Sequence, residues 1–320
     1  MSAVLDVKTL IEQYDKPVLQ RTRAVYDRIG VLPKLAVILT SDDPGSVSYL
    51  KGVQRFGSSY GVEVTSYSAD TQEKLEACIT ECNNSDIHGI MVLYPTPFEQ
   101  KDTWFMNRVL PEKDVEGLHF SHLGYLVQFE KYRDIQQLRK LIIPPTAKGI
   151  MYILKRYAMM YDERKIADGR YPDGLTYNPF TIESKRITII NDSLAVGRSL
   201  ALMMLNENGS VQVCHRFTPF EDTRAFVRQS DIIVSAVPSE KFIIPTDDIP
   251  EKAIVIDISF EGNFEYPSVM EKAFRIAPKW NLCEKGNRIN DMTLQRLISN
   301  LFYLVTATLA DECIREIEEE

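Results

Sequence analysis

Short apolar runs alternate with longer stretches of helical composition through the first hundred residues. The runs are LAVIL at 35–39, VEVTSY at 62–67 and GIMVLY at 89–94, and turn residues follow each of them. Repetition of strand and helix in this way predicts a parallel sheet with helices on both faces. Ligands of such sheets bind outside the carboxyl ends of the strands, here 40–44 and 94–97.

The same alternation restarts in the second half of the chain. Four further runs predict buried strands: RITII at 186–190, VQVC at 211–214, DIIVSA at 231–236 and AIVIDI at 253–258. We therefore expect an α/β protein of two domains, each with a mainly parallel sheet. The stretch 159–185 is rich in Asp, Gly, Pro, Tyr and Asn, which predicts a long connection or insertion. A long helix is expected from Met292 to about Glu319.

Composition limits the classes of partner. The chain of 320 residues carries 37 Lys and Arg against 45 Asp and Glu, a formal net charge of −8. An acidic protein lacks the excess of cations that nonspecific nucleic-acid binding requires. No apolar run approaches the ~18 residues of a membrane span, and no secretory signal is visible. We therefore predict a protein that binds neither nucleic acid nor a membrane.

Cysteine and histidine form no pattern of metal ligands. The five cysteines are irregularly spaced, and an odd number of this kind is typical of reduced thiols in the cytoplasm. Cys78 and Cys82 lie four residues apart and His119 and His122 three apart, but neither pair has further ligands near it in the sequence. We predict a cytoplasmic protein without a metal site.

One strand–turn–helix segment is a candidate nucleotide site, although no G-x-G-x-x-G motif and no P-loop occur. The segment is ITIINDSLAVG, which ends at Gly197. Its strand ends before Asp192, and a helix is expected to start near Val196, where backbone N–H groups attract a pyrophosphate. Asp192 would accept hydrogen bonds from a ribose. The alternative is an ordinary turn in which Asp192 or Ser193 caps the helix.

Several segments resemble, in order, motifs of the methylenetetrahydrofolate dehydrogenase/cyclohydrolase family. Together they extend over nearly the whole chain: DPGSVSYL at 43–50, GIMVLYPTP at 89–97, PEKDVEG at 111–117, PPTAKG at 144–149, VCH at 213–215, VID at 255–257 and MT at 292–293. The pattern is most similar to the monofunctional NAD-dependent branch. The resemblance implies NAD-dependent oxidation of methylenetetrahydrofolate in cytosolic one-carbon metabolism by a homodimer.

The resemblance also implies which domain binds the folate and which binds the cofactor. Residues 1–150 together with 293–320 would form the folate-binding catalytic domain. Residues 151–292 would form a Rossmann-like NAD-binding domain. The active site would then lie in the cleft between the two domains, a usual place for ligand pockets.

Substrate residues follow from the family positions. Tyr49 keeps the family tyrosine, whose ring would stack on the folate and whose hydroxyl is polar. Glu116 stands where the family has Asp, so its carboxylate would accept two hydrogen bonds from the amino-pyrimidine edge of the pterin. We predict Tyr49 and Glu116 as catalytic residues. The alternative is that Glu116 points to solvent and that Asp114 is the buried acid.

Two departures bear on the second activity of the family. The bifunctional enzymes have a Lys four residues after the tyrosine and a Gln in the GIMVLY segment, where this chain has Val53 and the substrate-site residue Leu93. Water attack on the methenyl cation needs a base, which neither apolar side chain supplies. We predict a dehydrogenase without significant cyclohydrolase activity. In the alternative, another base has replaced the missing Lys.

Cofactor residues are also assigned from the resemblance. Asp192 stands where the bifunctional enzymes have an Arg that clamps the 2′-phosphate of NADP, which favours NAD. Arg216 replaces a Ser at the same phosphate, and would either rescue NADP binding or pair with Asp192. The remaining positions assigned to the cofactor are Thr146, Ser193, Val196, Gly197, His215, Val237 and Thr293. The alternatives to an NAD enzyme are an NADP-dependent bifunctional enzyme and a non-catalytic folate or nucleotide sensor.

Overall fold

The computed structural model describes residues 4–130, 132–134, 139–171 and 173–309. The strands are β1 Lys34–Leu39, β2 Glu63–Ser68, β3 Gly89–Val92, β4 Tyr132–Asp134, β5 Arg139–Lys140, β6 Arg186–Ile190, β7 Ser210–Cys214, β8 Ile232–Ser235, β9 Ile254–Asp257 and β10 Arg275–Ala277. The α-helices are α1 Val7–Leu10, α2 Lys16–Ile29, α3 Pro44–Ser59, α4 Gln72–Asn83, α5 Asp102–Met106, α6 Phe120–Val127, α7 Pro145–Asp162, α8 Ser199–Asn206, α9 Phe220–Val227, α10 Ser268–Lys272 and α11 Ile289–Thr306. π-Helical turns occur at Ile11–Asp15 and Leu194–Arg198, and 3-10 turns at Thr246–Asp248 and Trp280–Leu282.

The chain divides into two compact units. Among the described residues, the three-stranded unit consists of Glu12–Pro145 and 294–309, and the five-stranded unit consists of Thr146–Thr293 and 4–11. Residues 310–320, which the sequence assigned to the first domain, lie outside the described residues.

The N-terminal segment groups with the five-stranded unit, whereas the sequence placed it in the first domain. The backbone N–H of Leu5 donates to the carbonyl of Ile276 at 2.8 Å, and Val4 forms a parallel bridge to the same residue. This edge pairing explains the difference, because so short a segment has no periodicity that would reveal its partner strand.

The sheet of the three-stranded unit has the order β2-β1-β3 and is parallel, as the alternation predicted. Successive side chains of a strand face opposite sides of the sheet. Leu35, Val37 and Leu39 pack on one side with residues of α3 and α11. Ala36 and Ile38 pack on the other side with residues of α4 and α5. Both faces are therefore covered, which explains why these strands are continuous apolar runs.

The sheet of the five-stranded unit has the order β10-β9-β8-β6-β7, and each of its pairs is parallel. The predicted α/β fold with parallel sheets is thus confirmed. β6 lies between β7 and β8, so the chain moves to opposite sides of β6 after successive strands. Such a switch point opens a crevice at the carboxyl end of the strand, where nucleotides bind in open α/β sheets.

The region 159–185 is more ordered than a plain connection. α7 continues through Asp162, and the rings of Tyr161 and Tyr171 then stack with centroids 4.6 Å apart. Tyr171 donates a hydrogen bond to Asp162 at 2.7 Å, and Tyr161 donates one to Asp173. The aromatic residues of this segment therefore hold it together, a contribution that its turn-rich composition concealed.

None of the helices in the described part of the chain is long and apolar enough to cross a membrane.

Candidate functional site

Tyr49 lies on α3, directly after the carboxyl end of β1. Asp43 caps this helix, because its Oδ1 accepts a hydrogen bond from the N–H of Ser46 at 3.0 Å. Hydrogen bonds from Ser46 and Ser41 lower the pKa of Asp43 to about 2. The half-buried Tyr49 packs against the apolar cluster on this face of the sheet. Burial raises the pKa of its phenol, and the charge of Glu116 adds to the shift.

The loop before α6 is built around Asp114. This buried carboxylate accepts hydrogen bonds from the backbone N–H groups of Glu116, Gly117 and His119 at 3.0, 2.9 and 2.8 Å. Gly117 has φ +64°, and a Cβ there would lie 2.5 Å from the carbonyl oxygen of Ile142. Asp114 is thus buried, as one alternative expected, but its hydrogen bonds show that it shapes the loop.

Glu116 is half-buried and does not simply point to solvent. Burial raises the pKa of Glu116 to about 8, the charge of Asp114 adds to the shift, and a backbone hydrogen bond with Val92 opposes it. The charge of Glu116 acts on the phenol of Tyr49, so the two predicted catalytic residues lie near one another. The site therefore presents an aromatic ring and an acid whose pKa is raised to about 8.

Val53 and Leu93 lie at the two positions where the family resemblance implies a Lys and a Gln. Val53 is 0% exposed and Leu93 is 7% exposed. Both belong to one apolar cluster with Leu39 and Met91, against which Tyr49 also packs. Next to the tyrosine, these two positions therefore form part of a buried apolar cluster.

The two histidines of the 119–122 segment organise the backbone. His122 Nε2 donates to the carbonyl of Pro111 at 3.0 Å, and its Nδ1 accepts from the N–H of Ile142 at 3.4 Å. His119 caps α6, because its Nδ1 accepts from the N–H of Ser121 at 3.2 Å. In the described part of the chain, no group of three or more His, Cys, Asp or Glu residues could hold a metal ion.

The turn after β6 is held by Asn191, a residue that the sequence analysis did not single out. Its Oδ1 accepts hydrogen bonds from Ser193 N–H at 2.9 Å and from Gly197 N–H at 3.1 Å, and its Nδ2 donates to the carbonyl of Ala236 at 3.0 Å. Ser193 caps the helix through Val196 N–H, at 3.3 Å. The only signal for Asn191 in the sequence is its place at the tip of a buried strand.

Gly197 allows the beginning of the helix to lie very close to the end of β6. A Cβ at this position would lie 1.8 Å from the carbonyl oxygen of Asn191. Glycine is used in dinucleotide folds for this kind of close turn, where the helix start faces a pyrophosphate. The geometry of the turn therefore fits a dinucleotide.

Asp192 pairs with Arg198, not with Arg216. Arg198 Nε donates to the carbonyl of Asp192 at 2.8 Å, and its guanidinium lies 3.5 Å from the carboxylate. The guanidinium of Arg216 lies 4.5 Å from the ring centroid of Phe217. Arg216 was expected either to rescue NADP binding or to pair with Asp192, and the second of these does not occur. The side chain of Asp192 is 49% exposed.

The remaining predicted cofactor residues lie at the ends of strands or helices of the five-stranded unit. His215 follows β7, and its Nδ1 accepts from Phe217 N–H at 3.1 Å. Val237 follows β8, and its backbone N–H and carbonyl are both bonded by the Asn263 side chain, at 2.9 and 3.0 Å. The hydroxyls of Thr146 and Thr293 lie 3.4 Å apart. Asn263 is a second organising amide that the sequence analysis missed.

The fold and these residues define a two-unit α/β protein with an NAD(P)-binding unit. Residues 5–116 match the family profile "Tetrahydrofolate dehydrogenase/cyclohydrolase, catalytic domain". Residues 175–307 match the profile "Tetrahydrofolate dehydrogenase/cyclohydrolase, NAD(P)-binding domain". The chain belongs to the tetrahydrofolate dehydrogenase/cyclohydrolase family.

Individual relatives agree with this assignment. The bifunctional protein FolD 2 of Desulfitobacterium hafniense is 31% identical over 289 residues, which are 87% of this chain and 90% of that protein. The crystal structure of the bifunctional enzyme FolD from Campylobacter jejuni has a TM-score of 0.75 and 26% identity, covering 96% of this chain and 99% of its own. The NAD-dependent 5,10-methylenetetrahydrofolate dehydrogenase from Saccharomyces cerevisiae, 24% identical, shares the fold with a TM-score of 0.76 over 93% of this chain and 95% of its own.

Proposed function

We propose that the protein is an NAD-dependent methylenetetrahydrofolate dehydrogenase without significant cyclohydrolase activity. The observation that carries the proposal is a contrast within one site. A half-buried aromatic ring and an acid, Tyr49 and Glu116, lie near one another, whereas Val53 and Leu93 form an apolar surface where the bifunctional enzymes have Lys and Gln.

Hydride transfer suits such a site. Bound NAD⁺ supplies the acceptor for the hydride that leaves the bridging methylene carbon, and the product is a methenyl cation delocalised over two nitrogens. No proton passes to the protein in this step, so the protein has to align the two reactants rather than exchange protons with them. Apolar side chains at Val53 and Leu93 are compatible with alignment.

Two side chains are assigned to the folate. Tyr49 stacks on the ring system, and its phenol stays protonated because burial raises its pKa. Glu116, once ionised, accepts hydrogen bonds from the 2-amino group and N3–H of the pterin. The three hydrogen bonds to Asp114 fix the loop, and they thereby fix the backbone that carries Glu116.

Asp192 is assigned to the choice of cofactor. Its half-exposed carboxylate would accept hydrogen bonds from free ribose hydroxyls and would repel a 2′-phosphate. Arg198 reduces this repulsion through its ion pair, and Arg216 is the cation that would favour NADP in the second candidate function, an NADP-dependent bifunctional enzyme. The half-exposed carboxylate of Asp192, which Arg198 only partly neutralises, supports NAD.

The test of the function is NAD(P)H formation from methylenetetrahydrofolate, measured with NAD⁺ and NADP⁺ in parallel. We expect turnover with NAD⁺ and much less with NADP⁺. Turnover mainly with NADP⁺ would contradict the cofactor assignment. Absence of turnover with both would favour a folate or nucleotide sensor.

Replacing Asp192 by Arg is expected to shift the cofactor preference toward NADP⁺. Two charge changes near the 2′-position, each worth about 1 kcal/mol in an exposed environment, correspond to a roughly 30-fold change in the ratio of kcat/KM values. The control is Asp168→Arg, since Asp168 is a similarly exposed acid, 52%, that also pairs with an arginine, Arg170. Equal ratios in the two variants would show that Asp192 does not face the ribose.

Binding of tetrahydrofolate is expected to strengthen as the pH rises toward 8. The pKa of Glu116 is about 8 in the ligand-free protein, and only the ionised form accepts both pterin hydrogen bonds. Below that pKa each unit of pH lowers the ionised fraction about tenfold, so the dissociation constant should fall about tenfold between pH 6 and 7 and level off above pH 8. Calorimetric titration measures this.

The control for the pH effect is Glu116→Gln. This variant should bind weakly at every pH and lose the dependence, because its amide does not titrate. Binding by the unmodified protein that is strongest at pH 6 would mean that the protonated acid is the binding form.

The proposal also includes the remaining features that the family resemblance implies. These are a cytoplasmic location, assembly as a homodimer, and the absence of nucleic-acid or membrane partners.

A further inference from the structure

Phe217, in the turn after β7, is an exposed aromatic residue that the proposed function does not use. Its side chain is 74% exposed, the largest value among the exposed large hydrophobic side chains of the described residues. The ring therefore adds little to the core. Its contact is with a cation, because the guanidinium of Arg216 lies 4.5 Å from the ring centroid.

The turn that carries Phe217 is closed by hydrogen bonds of His215. The backbone N–H of His215 donates to the hydroxyl of Thr218 at 3.0 Å, and its carbonyl accepts from Thr218 N–H at 2.8 Å. His215 Nδ1 accepts from Phe217 N–H at 3.1 Å, and the two rings meet edge to face with centroids 6.1 Å apart. The backbone of Phe217 is thus held by its own turn, which gives Arg216 a fixed ring to rest on.

Arg216 lies where dinucleotide folds distinguish the two cofactors. In these folds an acid about 20 residues after the glycine turn binds the ribose 2′-hydroxyl of NAD, and a nearby Arg accommodates the 2′-phosphate of NADP. Arg216 follows Gly197 by about this separation and comes two residues after the end of β7. Asp192 likewise comes two residues after the end of β6, where Ile190 is the register partner of Cys214. Both side chains therefore leave neighbouring strand ends, and adjacent strands lie only about 4.8 Å apart.

Charge alone would make Arg216 a residue for NADP⁺, because a guanidinium forms strong bidentate hydrogen bonds with a phosphate. The guanidinium nevertheless lies on the Phe217 ring, and Asp192 pairs with Arg198. We propose that Phe217 is a positioning residue that holds Arg216 on its ring, and that it disfavours NADP⁺ because a 2′-phosphate has to compete with the ring for this cation. The inference rests on the proposed function and names a residue that maintains its preference for NAD⁺.

The strength of the contact sets the size of the effect. A cation–π contact at an exposed site changes an equilibrium constant by a factor of about two to five. Binding of NADP⁺ would lose this factor, whereas NAD⁺ carries no 2′-phosphate that requires Arg216 to leave the ring. Phe217 thus adds to the effect of Asp192, whose carboxylate repels the same phosphate.

The test replaces Phe217 by Ala and measures the dissociation constants of NAD⁺ and NADP⁺ by calorimetric titration. The ratio of the NADP⁺ value to the NAD⁺ value should fall about two- to fivefold, because the guanidinium can bind the 2′-phosphate without first leaving a ring. The ratio of the kcat/KM values with methylenetetrahydrofolate should shift toward NADP⁺ by the same factor. Phe217→Tyr keeps an aromatic ring and should behave like the unmodified protein.

Arg216→Ala tests whether the effect of Phe217 passes through this cation. With Arg216→Ala in place, Phe217→Ala should no longer change the ratio of dissociation constants, since no contact between the two residues is left to lose. The matched control is Phe220→Ala. Phe220 is 42% exposed, and its ring centroid lies 5.6 Å from that of Phe242. This control should leave the ratio unchanged.

The outcomes separate this inference from the function on which it rests. If the unmodified protein oxidises methylenetetrahydrofolate with NAD⁺ but Phe217→Ala has the same ratio, the role of Phe217 is wrong and the function stands. Equal weakening of both cofactors, or a fall in the ratio that persists with Arg216→Ala, would also overturn it. If the unmodified protein binds both cofactors without turnover, the dehydrogenase function fails and the titrations still decide the role of Phe217. A preference of the unmodified protein for NADP⁺ would contradict both proposals.

Discussion

Methenyltetrahydrofolate is expected to hydrolyse no faster with the purified protein than in buffer alone, under conditions in which the protein oxidises methylenetetrahydrofolate. General acid–base assistance typically contributes about 10²–10⁴-fold to such a step. Val53 and Leu93 are buried and apolar, so neither can activate a water molecule. Lys51 is exposed and lies two residues from Tyr49, on a different face of α3. The decay of the methenyl absorbance measures the rate.

Glu116 is the residue most suited to replace the missing base, since its pKa is about 8. If it does so, hydrolysis should be appreciable, should increase through pH 8 and should disappear in Glu116→Gln. That result would contradict our proposal and identify the new base. A hydrolysis rate that is appreciable and survives this substitution would also contradict it, and would point to a base outside the residues considered.

Replacing Leu93 by Gln provides a gain-of-function control. Leu93 directly follows β3 and belongs to the apolar cluster against which Tyr49 packs, so an amide there would lie in the same cluster as the tyrosine. Met91→Gln is the matched variant, because Met91 lies in the same apolar cluster two residues earlier and is 2% exposed. Any hydrolysis that Leu93→Gln restores should be absent in Met91→Gln, which separates a local chemical effect from a general loosening of the cluster.

The sequence predicted the sheets because buried parallel strands have a strong local signature. Each of the runs 35–39, 89–94, 186–190 and 253–258 overlaps a strand of the structure. Because both faces of each sheet are covered, the strands are apolar throughout and stand out from the polar turns that follow them. The signal is a property of the strands themselves, so no knowledge of the tertiary structure was needed.

The parts that the sequence did not predict depend on long-range contacts. Nothing local shows that residues Val4 and Leu5 pair with Ile276, because the partner is more than 270 residues away. The pairing of Asp192 with Arg198 was missed for a different reason. The sequence offered Arg216 as the neighbouring cation, whereas in the structure Arg198, at the end of the π-helical turn Leu194–Arg198, donates to the carbonyl of Asp192.

The loop at 111–119 shows the same limit in the candidate site. Its motif identified two acids, Asp114 and Glu116, but did not decide which is structural. The three backbone hydrogen bonds to Asp114 make that distinction, and they depend on Gly117 adopting a positive φ against the carbonyl of Ile142. The burial and the hydrogen bonds of an acid depend on the tertiary structure. A sequence motif therefore shows where the acid lies in the chain and does not show what the acid does.

Substituting Ala for Gly197 is expected to destabilise the protein by about 3 kcal/mol or more, and to abolish measurable NAD⁺ binding. A Cβ at this position would lie 1.8 Å from the carbonyl oxygen of Asn191. The obstructing carbonyl of Asn191 belongs to the backbone and the Cβ is fixed to its own backbone, so no side-chain rotation relieves the overlap, and the turn has to open. Opening the turn breaks the hydrogen bond from Gly197 N–H to Asn191 Oδ1. Urea unfolding and calorimetric titration with NAD⁺ measure the two effects.

The matched control is Gly124→Ala. Gly124 lies inside α6, where a Cβ would meet nothing within 4 Å. Alanine favours a helix over glycine by about 1 kcal/mol, so this variant should be slightly more stable than the unmodified protein and should bind NAD⁺ normally. The same chemical change thus has opposite effects on stability at the two glycines. A Gly197→Ala protein with unchanged stability and NAD⁺ affinity would contradict this prediction. It would show that the start of the helix can move away from Asn191 without cost, and that the hydrogen bonds of Asn191 are not needed for the cofactor site.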